Sequence, residues 1–474
     1  MTFTRRFILC ILLISMILSL IACGEGTTPH PIETADSVEE LVPAPVPTGY
    51  FGTMDGYVYR YPEGRDREWE EDILFLAEYA LENHPYLTEM CETIDIYRKL
   101  GKSDRFYNPE LRELFIQNVD ELIEEVPQLD DTGVLYGMQK VLNTLHDAHS
   151  IVWLFYGDCF PIAFEGFYEE DGLKLYTVMV PADREDAVFC ELYSVNGYNV
   201  DEVFELLTPY TSQETQEAVE SLIINNFLPY LDPLRAAGII EKDADIVEYV
   251  LLNENGEKVS LKLTADTYEN VQNADVLDMR PTARGWYAYS RDDEVKYWSE
   301  YLPEDNMVYA RINAFNEMKD ISYDSFYDGV LEMCRSVDKP AKLVVDLRDN
   351  GGGPPYHELV NYASCIGFIK ELTTYILIDT DSASASVLES VVMCDRNENA
   401  YIVGMPAMQP PIFPTYLEGR IFPNHKEHWF RISGEMCVYD NFTDDTLMPD
   451  IEIYPTFDDY KNGVDTILEA VKAF

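Results

Sequence analysis

Between Met307 and Val403 apolar strands alternate with helix-like runs, and this order constrains the fold more than any other feature of the chain. Met307 to Ile312 reads as a strand, Tyr323 to Val337 as a helix and Lys342 to Leu347 as a second strand. Tyr356 to Phe368 has helical spacing, Thr373 to Ile378 is again apolar, a helix follows the serines at 382–386, and Tyr401 to Val403 closes the series. The alternation predicts an α/β layer, with reactive residues at the carboxyl ends of its strands. Two such ends carry unusual residues. Arg348-Asp349-Asn350-Gly351-Gly352-Gly353 offers bare backbone N–H groups that can approach a ligand closely and form an oxyanion site. Asp381-Ser382-Ala383-Ser384-Ala385-Ser386 places serines at a helix start, where free N–H groups favour developing negative charge. A serine nucleophile is well placed at that junction.

The amino-terminal residues read as a targeting segment. Arg5 and Arg6 precede an apolar run from Phe7 to Leu20, which closes with Leu20-Ile21-Ala22-Cys23. This resembles a bacterial lipoprotein signal at residues 1–22, with cleavage leaving Cys23 to carry lipid; the alternative is an uncleaved membrane anchor. Either reading places the folded part outside the cytoplasmic membrane. Residues 23–50, rich in Pro, Thr and acid, read as a flexible tether. A formal charge of −52 argues against nucleic acid or an anionic membrane face as a partner. The seven cysteines after Cys23 show no CxxC spacing, so a zinc site is not expected and at least one thiol is unpaired.

Helical periodicity dominates residues 51–150. Ile73, Phe75-Leu76 and Tyr79-Ala80 mark a first helix, Leu111, Leu114-Phe115, Val119 and Leu122-Ile123 a second, and Leu135, Met138, Val141-Leu142 and Leu145 a third. From residue 151 the period changes. Short strands are predicted at Ile151–Phe155, Phe160–Phe167, Leu173–Val180 and Phe189–Val195, with a turn at Asn196-Gly197 and a hairpin around Asn253 to Gly256. The run ELYSVNGYNVDEVFELL resembles the carboxylate-binding region of a PDZ domain, so residues 151–300 are read as a PDZ-like and connecting region. The chemistry is assigned to residues 301–474.

Taken in order, MVYARINAFN, KLVVDLRDNGGG, DSASAS, YIVGMP and MPDIEI resemble the C-terminal processing, or tail-specific, serine peptidases. LHDAHS at 145–150 resembles the D-G-H-T segment of relatives closer to the tricorn core peptidase. The resemblance implies an α/β catalytic core of the ClpP/crotonase-like type behind a helical N-terminal domain. Carried over by position, Ser384 is the nucleophile, and Val387 stands where many members have glutamate. The bland alternative for such a serine is a helix N-cap worth ~1 kcal/mol.

A serine hydroxyl needs a base at neutral pH. The processing-peptidase branch uses a lysine after a G-E-P-T-x-G-K turn, but the matching turn here runs from Gly404 to Pro410, and no lysine occurs between Lys370 and Lys426. The tricorn-like branch uses histidine, which His149 matches; an imidazole can accept the proton near neutrality. The alternative for His149 is a structural histidine, and His146 is read as a helix C-terminal charge. That branch also orients its histidine with an acid shortly before Pro449-Asp450-Ile451. The expected position falls near Thr443, flanked by Asp440, Asp444 and Asp445; Asp444 is named for this role, and the alternative for all three is a solvated loop carboxylate. Oxyanion donors are expected at Gly351 or Gly352 and at Ala385, while Asp346 and Arg348 brace the strand end. His357 is read as exposed helix and His425 with His428 as a coincidence of spacing, so no metal and no cofactor is assigned.

These residues predict an exported, lipid-anchored serine-type peptidase that binds a polypeptide substrate as an extended tail and reaches the membrane through lipid at Cys23. The alternative is an inactive peptide-binding or ligand-binding lipoprotein that keeps the fold. The separation of Ser384 Oγ from the His149 ring discriminates, because proton transfer needs the two within about 3 to 4 Å.

Overall fold

The computed structural model of the chain describes residues 64–89, 106–154, 157–170, 172–281, 295–336, 342–353, 372–416, 419–439 and 444–474. The expected signal, Cys23, the tether, and the helix at 356–368 with His357 lie outside the described residues.

Trp69, Ile73, Leu76 and Ala80 recur at helical spacing and form the buried stripe of helix α1 (Arg65–Asn83). Asn108 caps α2 (Pro109–Glu125) by accepting the N–H groups of Glu110 and Leu111, each at 3.1 Å, and Pro109 fills the first helical position. Asp130 caps α3 (Asp131–Asn143) through the Gly133 N–H at 2.8 Å. The three helices share their core with Phe422, Phe430 and Ile432, from much later in the chain. Strand β1 (Ile151–Val152) makes this possible by pairing antiparallel with Trp429–Arg431. The helical layer is therefore not closed by residues 51–150 alone. The strand is assigned over Ile151–Val152, shorter than the one expected over Ile151–Phe155, although the Trp153 N–H still donates to Trp429 O at 2.9 Å; Phe155 lies outside the described residues.

Alternating burial then builds an antiparallel layer. β2 (Ala163–Glu169), β3 (Gly172–Pro181), β4 (Glu191–Val195), β5 (Ile246–Leu252) and β6 (Lys258–Thr264) run in the order β2-β3-β4-β5-β6. Asn196 and Gly197 take φ of 48° and 92°, which suits a two-residue hairpin and sets Val195 opposite Tyr198. A capping box between Asn199 and Glu202 starts the helix α4 (Val200–Leu207) that follows.

The carboxyl-terminal sheet has the order β12-β11-β10-β9-β8-β7, with β7 (Tyr297–Leu302), β8 (Met307–Ile312), β9 (Lys342–Asp346), β10 (Thr373–Ile378), β11 (Ala400–Gly404) and β12 (Ile451–Glu452). All neighbours are parallel except β7, an antiparallel edge that begins before residue 301. Every residue of β8 and β9 is buried, as befits strands covered on both faces. Val308, Ala310, Leu343 and Val345 share a core with α5 (Tyr323–Ser336) and α6 (Ala385–Arg396), whereas Met307, Tyr309, Val344 and Leu377 pack with α7 (Thr466–Ala473). A further antiparallel pair, Ile412–Tyr416 with Ser433–Val438, was not foreseen from the sequence. Cys159, Cys190, Cys334, Cys394 and Cys437 are free thiols. No helix among the described residues is long and apolar enough to cross a membrane.

A buried carboxylate gathers the carboxyl ends of these strands. Asp346 accepts hydrogen bonds from Tyr309 Oη at 2.6 Å, Arg311 Nη1 at 2.9 Å and Arg348 Nη2 at 2.6 Å. Arg348 also reaches both oxygens of Asp465 at 2.8 Å, which ties β9 to the start of α7. Burial opposes ionisation of Asp346, but Arg348 and Arg311 hold its carboxyl well below the usual carboxylate range. Asp346→Asn leaves two buried guanidinium groups short of charge and should lower the unfolding free energy by about 3–5 kcal/mol, read from the urea midpoint. Because the folded pKa is depressed, this contribution is complete above the unfolded value near ~3.9 and fades as pH falls toward the folded one. The gap between wild type and Asp346→Asn should narrow in acid; a gap independent of pH would refute the assignment.

Candidate active site

Two loops, one after β9 and one after β10, are laced together by the outer serines. Ser382 Oγ donates to Leu347 O at 2.9 Å and accepts the Asp379 N–H at 3.0 Å. Ser386 Oγ contacts Asn350 O and Ala383 O, both at 2.8 Å, and the Ala383 N–H reaches Asn350 O at 3.0 Å. Ser384 is held differently. Its backbone has φ 53° and ψ −114°, a region that a residue with a side chain rarely occupies. Although it immediately precedes α6, its side chain makes no capping bond. A strand-to-helix turn strained in this way presents the hydroxyl outward.

Gly352 is what permits the turn. A Cβ at this position would lie 2.7 Å from Ser384 Cβ and 3.0 Å from Ala385 N, and its φ of 97° also favours glycine. Its N–H, however, is already donated to Asn350 Oδ1 at 2.9 Å, and its carbonyl accepts the Phe315 N–H at 3.1 Å. The expectation that Gly352 could donate to an oxyanion is corrected on that ground: Asn350 claims the N–H two residues on, as asparagine does in turns. Among the described residues the N–H groups of Gly351 and of Ala385, at the helix start, have no acceptor.

His149 lies just before β1, and its Nε2 is 3.3 Å from Ser384 Oγ. The ring stacks on Phe413 at 5.4 Å between centroids and 8° between planes, and the His149 carbonyl accepts Arg431 Nε at 2.9 Å. Asp147 fixes the same turn by accepting the His149 N–H at 2.9 Å through Oδ1. Its Oδ2 accepts from Ser150 Oγ at 2.5 Å and lies 3.1 Å from His84 Nε2. Ser150 Oγ in turn accepts the Ser433 N–H at 2.9 Å, so the turn is fastened to the later hairpin. Asp147 Oδ1 and His149 Nδ1 are 3.7 Å apart, too far for a hydrogen bond, so the side-chain coupling is electrostatic. Burial works against the Asp147 charge, yet His149 and His84 hold this carboxyl well below its ordinary range. With Nε2 facing a hydroxyl and Nδ1 facing carboxylates, we assign the proton to Nδ1.

Glu214 completes the surroundings of the ring. Both of its oxygens are buried without a hydrogen-bond partner, as is His149 Nδ1. Asp147, His149 and Glu214 each bring one donor atom within 4.8 Å of the others. Burial first, and the Asp147 charge second, push the Glu214 carboxyl well above its ordinary range. This trio is also the one group among the described residues with the reach of metal ligands. His149 and Asp147 are already engaged, however, which leaves Nδ1 and Glu214 as uncommitted donors, fewer than the three protein ligands of a catalytic zinc site.

The acid named from the sequence is elsewhere. Asp444 is exposed, and neither a hydrogen bond nor an ion pair joins it to His149, so it stays hydrated while Asp147 and Glu214 face the ring. Asp450 accepts the Ile402 N–H at 2.9 Å and braces the sheet, and Asp440 lies outside the described residues. His146 is exposed with φ 47°. His425 stacks on Trp69 at 3.5 Å and pairs with buried Asp72 at 2.8 Å, a packing role. Gln409, in the turn where the other branch carries lysine, is fully buried. Asp147 had a readable signal, since an Asp two residues before a His can take its N–H in a turn. Glu214 had none, because it precedes an ordinary helical run.

No family model and no curated protein matches the chain. Solved structures do. Mature CPAF complexed with lactacystin is similar at a TM-score of 0.55 and 12% identity, covering 84% of this chain and 96% of that one. Mature CPAF alone is similar at 0.54 and 13%, covering 84% and 94%. At such identities the likeness is one of fold, and the chain has an α/β peptidase-like fold.

Proposed function

We propose that the protein is an exported serine-type peptidase in which Ser384 is the nucleophile and His149 the general base. The observation that carries this reading is the 3.3 Å approach of Ser384 Oγ to His149 Nε2, made by a serine with positive φ and no capping bond. The peptidase-like fold supports a polypeptide substrate. β2 and β6 end the strand order of the antiparallel layer, and an extended tail could add to such an edge as a further strand. Lipid at Cys23 would hold the body at the outer face of a bacterial cytoplasmic membrane, as the lipoprotein-like signal implies.

The chemistry follows from the contacts. Ser384 Oγ forms a bond to the substrate carbonyl carbon as its proton passes to His149 Nε2. The carbonyl oxygen becomes an oxyanion that the Ala385 and Gly351 N–H groups are free to receive. Collapse breaks the C–N bond, and the proton on Nε2 leaves with the amine. A water then gives a proton to the same nitrogen as it attacks the acyl carbon, and collapse breaks the ester C–O bond while that proton passes from Nε2 to Ser384 Oγ, which frees the serine and the new carboxyl end. Asp147 favours the imidazolium throughout by its charge.

Ser384→Ala should abolish peptide cleavage and labelling by a fluorophosphonate without shifting the unfolding midpoint. Retained wild-type cleavage would sink the nucleophile assignment, and a folded wild type that resists the probe would favour the inactive binding protein. Gly352→Ala forces a methyl group against Ser384 and should lower kcat by at least ~10², the scale at which misplaced oxyanion donors act. Unchanged kcat in a folded Gly352→Ala would show that the close approach has no bearing on turnover.

A further inference from the structure

His149 Nδ1 has no hydrogen-bond acceptor, and a base whose proton is not held at Nδ1 can present the wrong tautomer to its serine. Asp147 cannot fill the position as it stands. At 3.7 Å it is out of hydrogen-bond range, and its oxygens already serve the His149 N–H, Ser150 and His84. Glu214 has two buried oxygens with no partner, His149 Nδ1 is a buried nitrogen with none, and the two side chains bring ligand-type atoms within 4.8 Å of one another. Its segment is fixed on both sides. Gln139 Nε2 donates to Ser212 Oγ at 2.5 Å while Gln139 Oε1 accepts the Val152 N–H at 2.9 Å, which joins this segment to the strand that follows His149. On the other side Thr215 Oγ1 donates to Met408 O at 3.1 Å, and the Met408 N–H reaches Ser382 O at 3.1 Å, in the loop of the nucleophile. From that separation, a rotation of the Glu214 side chain within this frame would bring an oxygen toward the ~2.8 Å of a hydrogen bond to Nδ1.

Resting on the assignment of His149 as base, we infer that Glu214 is its positioning acid, accepting the Nδ1 proton from a segment that precedes the nucleophile in the chain. The role expected of Asp444 thereby passes to a residue on the opposite side of the sequence from Ser384.

The arrangement is also sensitive to pH. Glu214 faces Asp147 and His149 on the turn before β1, the Ala148 N–H, which favours its ionised form, and the Tyr86 hydroxyl beyond α1; His84 lies beside Asp147, at 3.1 Å from its Oδ2. When Glu214 is protonated, its O–H donates to Nδ1, the ring proton moves to Nε2, and Ser384 has no base. When Glu214 ionises, Nδ1 carries the proton and Nε2 is free to accept. Burial and the Asp147 charge raise this carboxyl, so activity should rise with pH as Glu214 gives up its proton.

The test compares kcat and KM against pH for wild type, Glu214→Gln and Glu214→Asp, and records the low-field Nδ1 proton resonance of His149 by NMR. Glu214→Gln should lower kcat on the order of 10³-fold with little change in KM, displace the rising limb to that of the imidazole alone and abolish the resonance, and Glu214→Asp should restore part of each. Wild-type kcat, limb and resonance in a folded Glu214→Gln would overturn the inference while leaving Ser384 and His149 in place. Loss of the nucleophile assignment itself would appear separately, as full activity in Ser384→Ala. If Glu214→Gln does not fold, Glu214→Asp decides: an undisplaced limb overturns the inference. The resonance needs no substrate, so it decides even where no peptide is turned over.

Discussion

The site depends on one close contact. Gly352 and Ser384 come within a distance that leaves no room for a methyl group between them, and this contact supports the serine in its strained conformation. Strain of this kind, of order 1–3 kcal/mol, persists only where the surroundings over-determine the backbone. Here Asn350, Ser382 and Ser386 supply the determination by bonding the two loops to one another. Asp346 and its guanidinium partners fix the strand ends from which both loops leave. The hydroxyl is thus a consequence of the sheet, and its aim would change with the register of β9 against β10.

Much of this scaffold was legible in the residues. β9 and β10 are largely apolar runs followed by glycine or by serine and acid, a pattern that fits covered parallel strands. The pairing of His149 with Ser384 came from a motif resemblance rather than from local physics. β7 escaped because Ser299 and Glu300 break its apolar alternation on an edge, where polar residues are tolerated. The hairpin of Ile412–Tyr416 with Ser433–Val438 escaped because its strands lie far apart in sequence and carry proline and glycine.

The acids show where sequence reading stops. Asp444, Asp445 and Asp450 look alike in a list of residues, and only burial separates a solvated carboxylate from one that must find a partner. Asp147 could have been weighed, since it stands inside LHDAHS, but its engagement with His84 and Ser150 depends on tertiary packing. The commitment of the Gly352 N–H to Asn350 was open to inference from the order Asn-Gly-Gly alone. Glu214 is brought to the ring by two side-chain bridges between distant segments, and no spacing rule anticipates those.

The seat of His149 has a consequence for an incomplete chain. Its ring lies on Phe413, its carbonyl is held by Arg431, and the adjoining Ser150 is held by Ser433. All three supports lie downstream of Ser384, so a chain that stops short of the Ile412–Tyr416 and Ser433–Val438 pair contains Ser384 but nothing for the His149 ring to rest on. On the proposed assignment of Ser384 and His149, such a chain would hold a serine without a seated base and so would be kept from acting on its neighbours or on itself.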